Sequence, residues 1–225
     1  MEKWINVVET YPEPPEKEKD FLDWYINVHL PDCVATQDYQ GARLYRAAAP
    51  EISNGRGKFL AIYFIETDDI DGTMQIRRNK RVEENQKGRG TDLVVNVWRD
   101  VLYKQIAECA AKEQIKKKEC WVNLIETNCD PTREDEYNDW YKNIHLPDTM
   151  ETPGFIGARR YVQKEFRDGR GKYLSVYEIE TDDISKTMEI RKARRQAEID
   201  AGRGSDTWRS IWGNTLYRQI AECLP

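Results

Sequence analysis

The chain opens on a β-rich run, about Trp4–Thr10, followed by Pro12, Pro14 and Pro15. Proline donates no backbone hydrogen, so this cluster should close the strand. A helical period follows over about Glu18–Leu30. Phe21, Trp24, Tyr25 and Val28 fall at i, i+3, i+4 and i+7 and form one apolar stripe. Pro31 is expected to stop that helix. Two strands, about Ala42–Ala48 and Lys58–Glu66, are joined by a hairpin at Asn54-Gly55. Asp68 or Asp69 then caps a second helix that ends near Gly88, and a last strand covers about Leu93–Ile106.

The same pattern is then written again, with a period of about 115 residues that suits a domain. Trp4-Ile-Asn-Val-Val-Glu-Thr10 returns as Trp121-Val-Asn-Leu-Ile-Glu-Thr127, and Asp23-Trp-Tyr-Ile-Asn-Val-His-Leu-Pro-Asp32 as Asp139-Trp-Tyr-Lys-Asn-Ile-His-Leu-Pro-Asp148. The helical stripe reappears as Tyr137, Trp140, Tyr141 and Ile144, with Pro147 as its expected stop. Gly41-Ala-Arg43 matches Gly157-Ala-Arg159, and Gly55-Arg-Gly-Lys58 matches Gly169-Arg-Gly-Lys172. The expected division is a first unit over 1–109, a charged linker over 110–119 and a second unit over 120–225. Each βαββαβ unit predicts a ferredoxin-like α+β layer, an antiparallel four-stranded sheet with both helices on one face. The other face, if apolar, needs a cover, and the second copy can supply it. The predicted architecture is an intramolecular pseudo-dimeric α+β barrel.

Composition narrows the function. The chain has 225 residues, 33% of them charged and 11% aromatic, with a net charge of -5. The negative balance argues against a nucleic-acid partner, since phosphate binding needs surplus Lys and Arg. No run approaches the ~18 apolar residues of a membrane span. The opening residues Met1–Asn6 enter a strand pattern without a secretory h-region. Five cysteines, odd in number and without a C-x-x-C pair, read as reduced thiols, so a cytoplasmic location is expected. With only two histidines, His29 and His145, a His-rich metal site is excluded, and no metal or cofactor is expected.

The Asp-Trp-Tyr-x-Asn-Val/Ile-His-Leu-Pro-Asp segments, followed by Gly-Ala-Arg-x-Tyr, resemble the dimeric α+β barrel superfamily and within it the EthD-like branch. The resemblance covers both halves. Most members it implies are homodimers of single units, so this chain departs by fusing two, and it would act as a monomer or as a further homodimer. The implied activities are cofactor-free cyclases, dehydratases, decarboxylases, isomerases and monooxygenases, with some haem-linked relatives. A haem-linked role has the least support here, because neither histidine has a cofactor motif around it.

The residues supply candidates for such chemistry. His29 and His145 sit one turn beyond Tyr25 and Tyr141 and can serve as general bases, with the phenols as oxyanion donors. Equally, a histidine in a last helical turn can bond terminal carbonyls. On the second helix Arg77 and Arg191 share a face with Ile and Met. They could hold a substrate's acidic group bidentately, or pair with Glu84 and Glu198. Tyr63, Tyr177, Trp98 and Trp212, with Tyr45 and Tyr161, are expected mostly in the core, where a pocket among them would favour flat ligands.

The halves also disagree. Phe64 becomes Glu178, Leu44 becomes Arg160, Val95 becomes Arg209, and Gln37-Asp38-Tyr39 becomes Pro153-Gly154-Phe155. Glu178 either lies buried beside aromatics as a proton-transfer group or substrate contact, or faces water, or pairs with Arg160 across strands. The Gly-Arg-Gly copies lack phosphate-loop spacing and read as turn and cap glycines.

The expected function is a cofactor-independent, lyase-like enzyme (elimination, decarboxylation or isomerisation) for a small hydrophobic or aromatic acid-like substrate. Two alternatives stand beside it: a cofactor-free monooxygenase of the same fold, and a non-catalytic small-molecule-binding module.

Overall fold

The computed structural model describes residues 1–48, 57–110, 119–166 and 170–225. The Asn54-Gly55 hairpin, Gly169 and most of the expected linker (111–118) lie outside the described residues. The chain is α+β and divides into two compact units, Met1–Lys104 with Gln219–Pro225, and Gln105–Arg218. This division differs from the one expected at a linker. The last strand of each half, 17 residues in β4 (Val94–Ala110) and 16 in β8 (Trp208–Cys223), is long enough to belong to one unit at its start and the other at its end.

In the first unit the strands are β1 (Glu2–Glu13), β2 (Tyr39–Ala47) and β3 (Phe59–Thr67), in the order β4-β1-β3-β2, with the end of β8 beyond β2. The paired strands run antiparallel, with Ile5 opposite Phe64 and Leu44 opposite Ala61. Helix α1 (Glu18–Trp24) runs through a π-helical turn (Tyr25–His29) into α2 (Leu30–Val34), and α3 spans Ile70–Gln86. Their apolar faces meet one sheet face: Phe21, Tyr25, Leu30 and Ile70 pack with Trp4, Ala42, Leu44, Phe59, Ala61 and Tyr63. On the opposite sheet face the buried Arg99 donates to Glu9 at 3.0 Å and to the Tyr103 hydroxyl at 2.5 Å.

The second unit repeats the plan with β5 (Glu119–Cys129), β6 (Phe155–Gln163), β7 (Tyr173–Thr181) and β8, in the order β8-β5-β7-β6, with the end of β4 beyond β6. Its helices are α4 (Glu134–Trp140), a π turn (Tyr141–His145), α5 (Leu146–Met150) and α6 (Ile184–Asp200).

Three sequence expectations change. First, β1 continues through Pro12 to Glu13. Second, Pro31 and Pro147 do not stop the helix. Each stands in the first turn of α2 or α5, directly after a π turn that already interrupts the i→i−4 ladder, so the missing N–H breaks no further bond. Third, Trp98 and Trp212 are not core residues. Glu9 pairs with Arg99 and Thr10 with Val97, while Glu126 pairs with Gly213 and Thr127 with Ile211. Each tryptophan is thus the extra residue of a β-bulge, and the two are 52% and 48% exposed.

The Gly-Arg-Gly copies turn out to clamp helix ends. Gly88 (φ 72°) and Gly202 (φ 75°) adopt the left-handed conformation that follows a helix C-terminus. Arg89 and Arg203 then grip Asp32 and Asp148 with two hydrogen bonds from the same guanidinium edge, and their carbonyls accept from the Trp24 and Trp140 indoles at 3.0 Å. The repeated Asp-Trp-Tyr…His-Leu-Pro-Asp segment therefore has an architectural use at its Trp and its last Asp. Asp69 and Asp183 cap α3 and α6 by accepting from Gly72 and Lys186 N–H at 2.9 Å. Replacing Asp183 by Ala should cost about 1 kcal/mol of stability, read as a lowered urea midpoint at unchanged slope.

Candidate functional site

In the second unit the layer between the helices and β5–β8 encloses a cavity of about 780 Å3. Its wall includes Tyr137, Trp140, Tyr141 and His145 from the first helical segment, Tyr177 from β7, Arg191 and Arg195 from α6, and Trp208 and Ile211 from β8. The π turn brings Tyr141 and His145 to this wall together. The imidazole stacks on Trp140 (4.8 Å between centroids, 16°) and meets Tyr141 edge-on at 4.8 Å. Nδ1 of His145 is buried without a hydrogen-bond partner, and the Tyr177 hydroxyl, also buried, has Ser175 beside it. The backbone carbonyl of His145 accepts from Thr149 Oγ1 at 2.8 Å.

The first unit uses the equivalent groups differently. The Tyr25 and Tyr63 hydroxyls bond each other at 2.9 Å, and Cys33 Sγ lies 3.6 Å from His29 Nε2. The cavity beside His29 has about 410 Å3 and is walled mainly by polar groups, among them Asp32, Arg81, Glu84 and Asn85.

The helix arginines divide similarly. Arg77 is held by Glu84 through two 2.6 Å bonds, and Arg191 by Glu198 at 2.6 and 3.0 Å. The glutamate stands two turns on, so both guanidiniums are largely occupied inside the protein. Arg195 stands one turn beyond Arg191 on the same helix face. It has one 3.4 Å contact with Glu198, lies over the Trp140 ring, and keeps donors toward the cavity.

Glu178 does not meet Arg160, and it is not at the cavity. It is on the sheet face away from Tyr177 and pairs with Arg159 at 2.7 Å. Strand alternation explains this: Arg160 lies opposite Ser175, three positions from Glu178, so the two side chains leave opposite faces of the sheet. Trp98 and Trp212, displaced by their bulges, are absent from the cavities described here, and Trp208 takes the aromatic place in the wall. Arg209 bonds Asp130 at 2.8 Å on the surface.

Arg160 itself is the departure that single-residue reasoning passed over. It is 1% exposed, and its guanidinium lies 3.3 Å above the Tyr141 ring, with Tyr137 and Tyr173 at 4.8 and 4.6 Å. One nitrogen donates to Ser175 Oγ at 2.9 Å, the Tyr137 hydroxyl lies beside the group, and Nε meets no acceptor. Comparing the halves position by position exposes the whole cluster: Phe21, Leu44, Phe59 and Ala61 become Tyr137, Arg160, Tyr173 and Ser175. Burying a cation without a carboxylate costs on the order of several kcal/mol, and the first unit fills the same place with leucine.

Among the described residues no group of three or more His, Cys, Asp or Glu is placed to hold a metal ion, and no helix is long and apolar enough to cross a membrane.

No protein-family model matches the chain, and no curated protein matches it. Solved structures do. A candidate monooxygenase from Fusobacterium nucleatum subsp. nucleatum superposes with a TM-score of 0.61 at 12% identity, covering 99% of this chain and 94% of that one. An anthrone oxidase-like protein gives 0.58 at 13%, covering 98% and 91%. A chlorite dismutase variant from Candidatus Nitrospira defluvii gives 0.60 at 8%, covering 97% and 91%. At these identities the likeness carries the fold alone, and that fold is the dimeric α+β barrel.

Both imidazoles are held neutral. Burial, then Arg81 and Arg77, push His29 down to about 3. Burial, then Arg195, Arg191 and Arg160, push His145 well below its ordinary value. An unfolded chain takes up these protons near pH 6.5 and the folded chain does not. Stability is therefore fully present above pH 6.5 and falls as the pH drops toward the folded values. Each histidine should remove about 2 kcal/mol between pH 7 and pH 5. Urea titrations at the two pH values measure this: His29→Gln and His145→Gln should each flatten the acid loss, and an unchanged loss in both variants would refute it.

Proposed function

We propose that the second unit is the working half, and that its cavity removes a proton from a small, flat, hydrophobic acid-like substrate without a cofactor. The observation that carries the reading is a neutral His145 beside Tyr141 and Tyr177 in the lining of one aromatic-walled cavity. In this reading His145 accepts a proton from carbon next to a carbonyl. The C–H electron pair becomes the C=C bond, the carbonyl π pair moves onto oxygen, and Tyr177 or Tyr141 donates a hydrogen bond to the resulting enolate. Arg195, with Arg191 behind its glutamate, receives the acidic group. An imidazole with so low a pKa is a weak base in the empty site. A bound anion would offset the arginine field that lowers it, so the substrate itself would strengthen the base. The protonated imidazole then returns its proton to a leaving group or to another carbon, which gives the lyase or isomerase outcome.

The names carried by the solved structures favour a second reading, in which the same carbanion reacts with molecular oxygen. Oxygen consumption during turnover separates the two. We also read the repeated Asp-Trp-Tyr…His-Leu-Pro-Asp segments as marking an EthD-like tandem fusion, in which His29, Tyr25, Tyr63 and Arg77 keep an internally bonded, architectural role.

Deuterium exchange at C1 of 2-tetralone, a flat bicyclic ketone, tests the shared step by NMR. The chain should accelerate exchange, His145→Gln should lower that acceleration by about 10²-fold or more, and His29→Gln should leave it unchanged. Equal losses in both variants, or none in His145→Gln, would sink the assignment.

A further inference from the structure

We infer that Arg160 is a positioning residue that makes the second unit's cavity select anionic aromatic ligands, through the phenol rings it lies against. The inference rests on the cavity being a ligand site, as proposed above, and names the charge class that site takes.

Three observations support it. The first is the charge balance around the cavity. Arg191 and Arg195 share one carboxylate, Glu198, and Arg160 has none, which leaves three guanidiniums facing one acid. Lys192 also lines the space. Of the carboxylates nearby, Glu134 is already engaged by Lys172 and Tyr173. The second is that the chain neutralises a buried arginine elsewhere: Arg99, equally enclosed, has Glu9 and the Tyr103 hydroxyl. The third is that the fold does not require a cation at position 160. Leu44 holds the equivalent place in the first unit, against Phe21, Phe59 and Ala61. The polar replacements Tyr137, Tyr173 and Ser175 accompany Arg160 as a set.

Arg160 is not among the side chains that line the cavity. It touches Tyr137 and Tyr141, which are. A cation against the outer face of a phenol ring draws electron density from it and strengthens the hydroxyl as a donor. Its field also crosses the ring, because little solvent lies between to screen it. An anion placed against the cavity side of Tyr141 would thus supply Arg160 with the charge compensation that no carboxylate among the described residues provides.

The test compares two ligands of nearly equal shape, 2-naphthoate and 2-naphthamide, by calorimetry at pH 7.5 on the full chain. The parent should bind the carboxylate at least tenfold more tightly. Arg160→Leu, which installs the residue the first unit uses, should cut that preference by about tenfold while binding of the amide persists. Arg160→Lys should recover part of the preference, and Arg195→Gln measures what the cavity mouth contributes. Thermal melting checks that each variant folds. Should Arg160→Leu melt early, the double variant Arg160→Leu with Ser175→Ala recreates the first unit's pairing and carries the same expectation. If both ligands bind and the preference is the same with or without Arg160, the inference fails while the cavity remains a ligand site. If neither binds the parent chain, the reading of the cavity fails and takes the inference with it.

Discussion

In each unit a single layer of side chains, pressed between the helices and one sheet face, decides what that unit can do. Strand alternation delivers every second residue of the β-strands to this layer and sends the others away. The π turn delivers a tyrosine and the histidine four residues on from the opposite side. Because the two copies share this scaffold, substitutions in the layer are directly comparable. In the first unit the Tyr25 and Tyr63 hydroxyls bond each other, the Cys33 thiol meets His29, Glu84 holds Arg77, and apolar rings fill the rest. In the second, phenols replace phenylalanines, arginine replaces leucine, and Nδ1 of His145 is buried without a hydrogen-bond partner.

Such an interior is costly. A buried guanidinium gains from stacking on tyrosine rings, yet it forgoes the hydrogen bonds that water would give its remaining N–H groups. A neutral histidine adds an acid liability of its own. These are the features expected where stability is traded for chemistry; the neutral histidine occurs in both halves, the buried arginine without a carboxylate in the second. The clamps formed by Arg89 with Asp32 and by Arg203 with Asp148 occur in both halves, which suits a structural duty.

Much of this was legible in the sequence. Apolar periodicity gave the element order, and the aspartate caps fell where the structure has them. The misses share one cause, that local rules assume regular elements. Pro31 and Pro147 read as helix stops because a π turn is invisible to a 3.6-residue period. Trp98 and Trp212 read as core because alternation counts straight through a bulge. Pairing of Glu178 with Arg160, one of three alternatives that charge allowed, fails because the register sets them on opposite faces. Arg160 stood in plain view as a difference between the halves, but its meaning emerges only when Tyr137, Tyr173 and Ser175 are placed around it. Their signal was the joint change of four positions, not any one of them.

The central claim is that the second unit alone presents its histidine to a ligand. With only two histidines in the chain, 15N-labelled imidazole spectra test it directly, with His29→Gln to assign the signals. Titrating 2-naphthoate into the labelled chain should shift the His145 resonances and leave those of His29 in place, with both rings neutral at pH 7. Movement of the His29 signals alone, or a His145 ring that titrates near pH 6.5 in the free protein, would contradict the account.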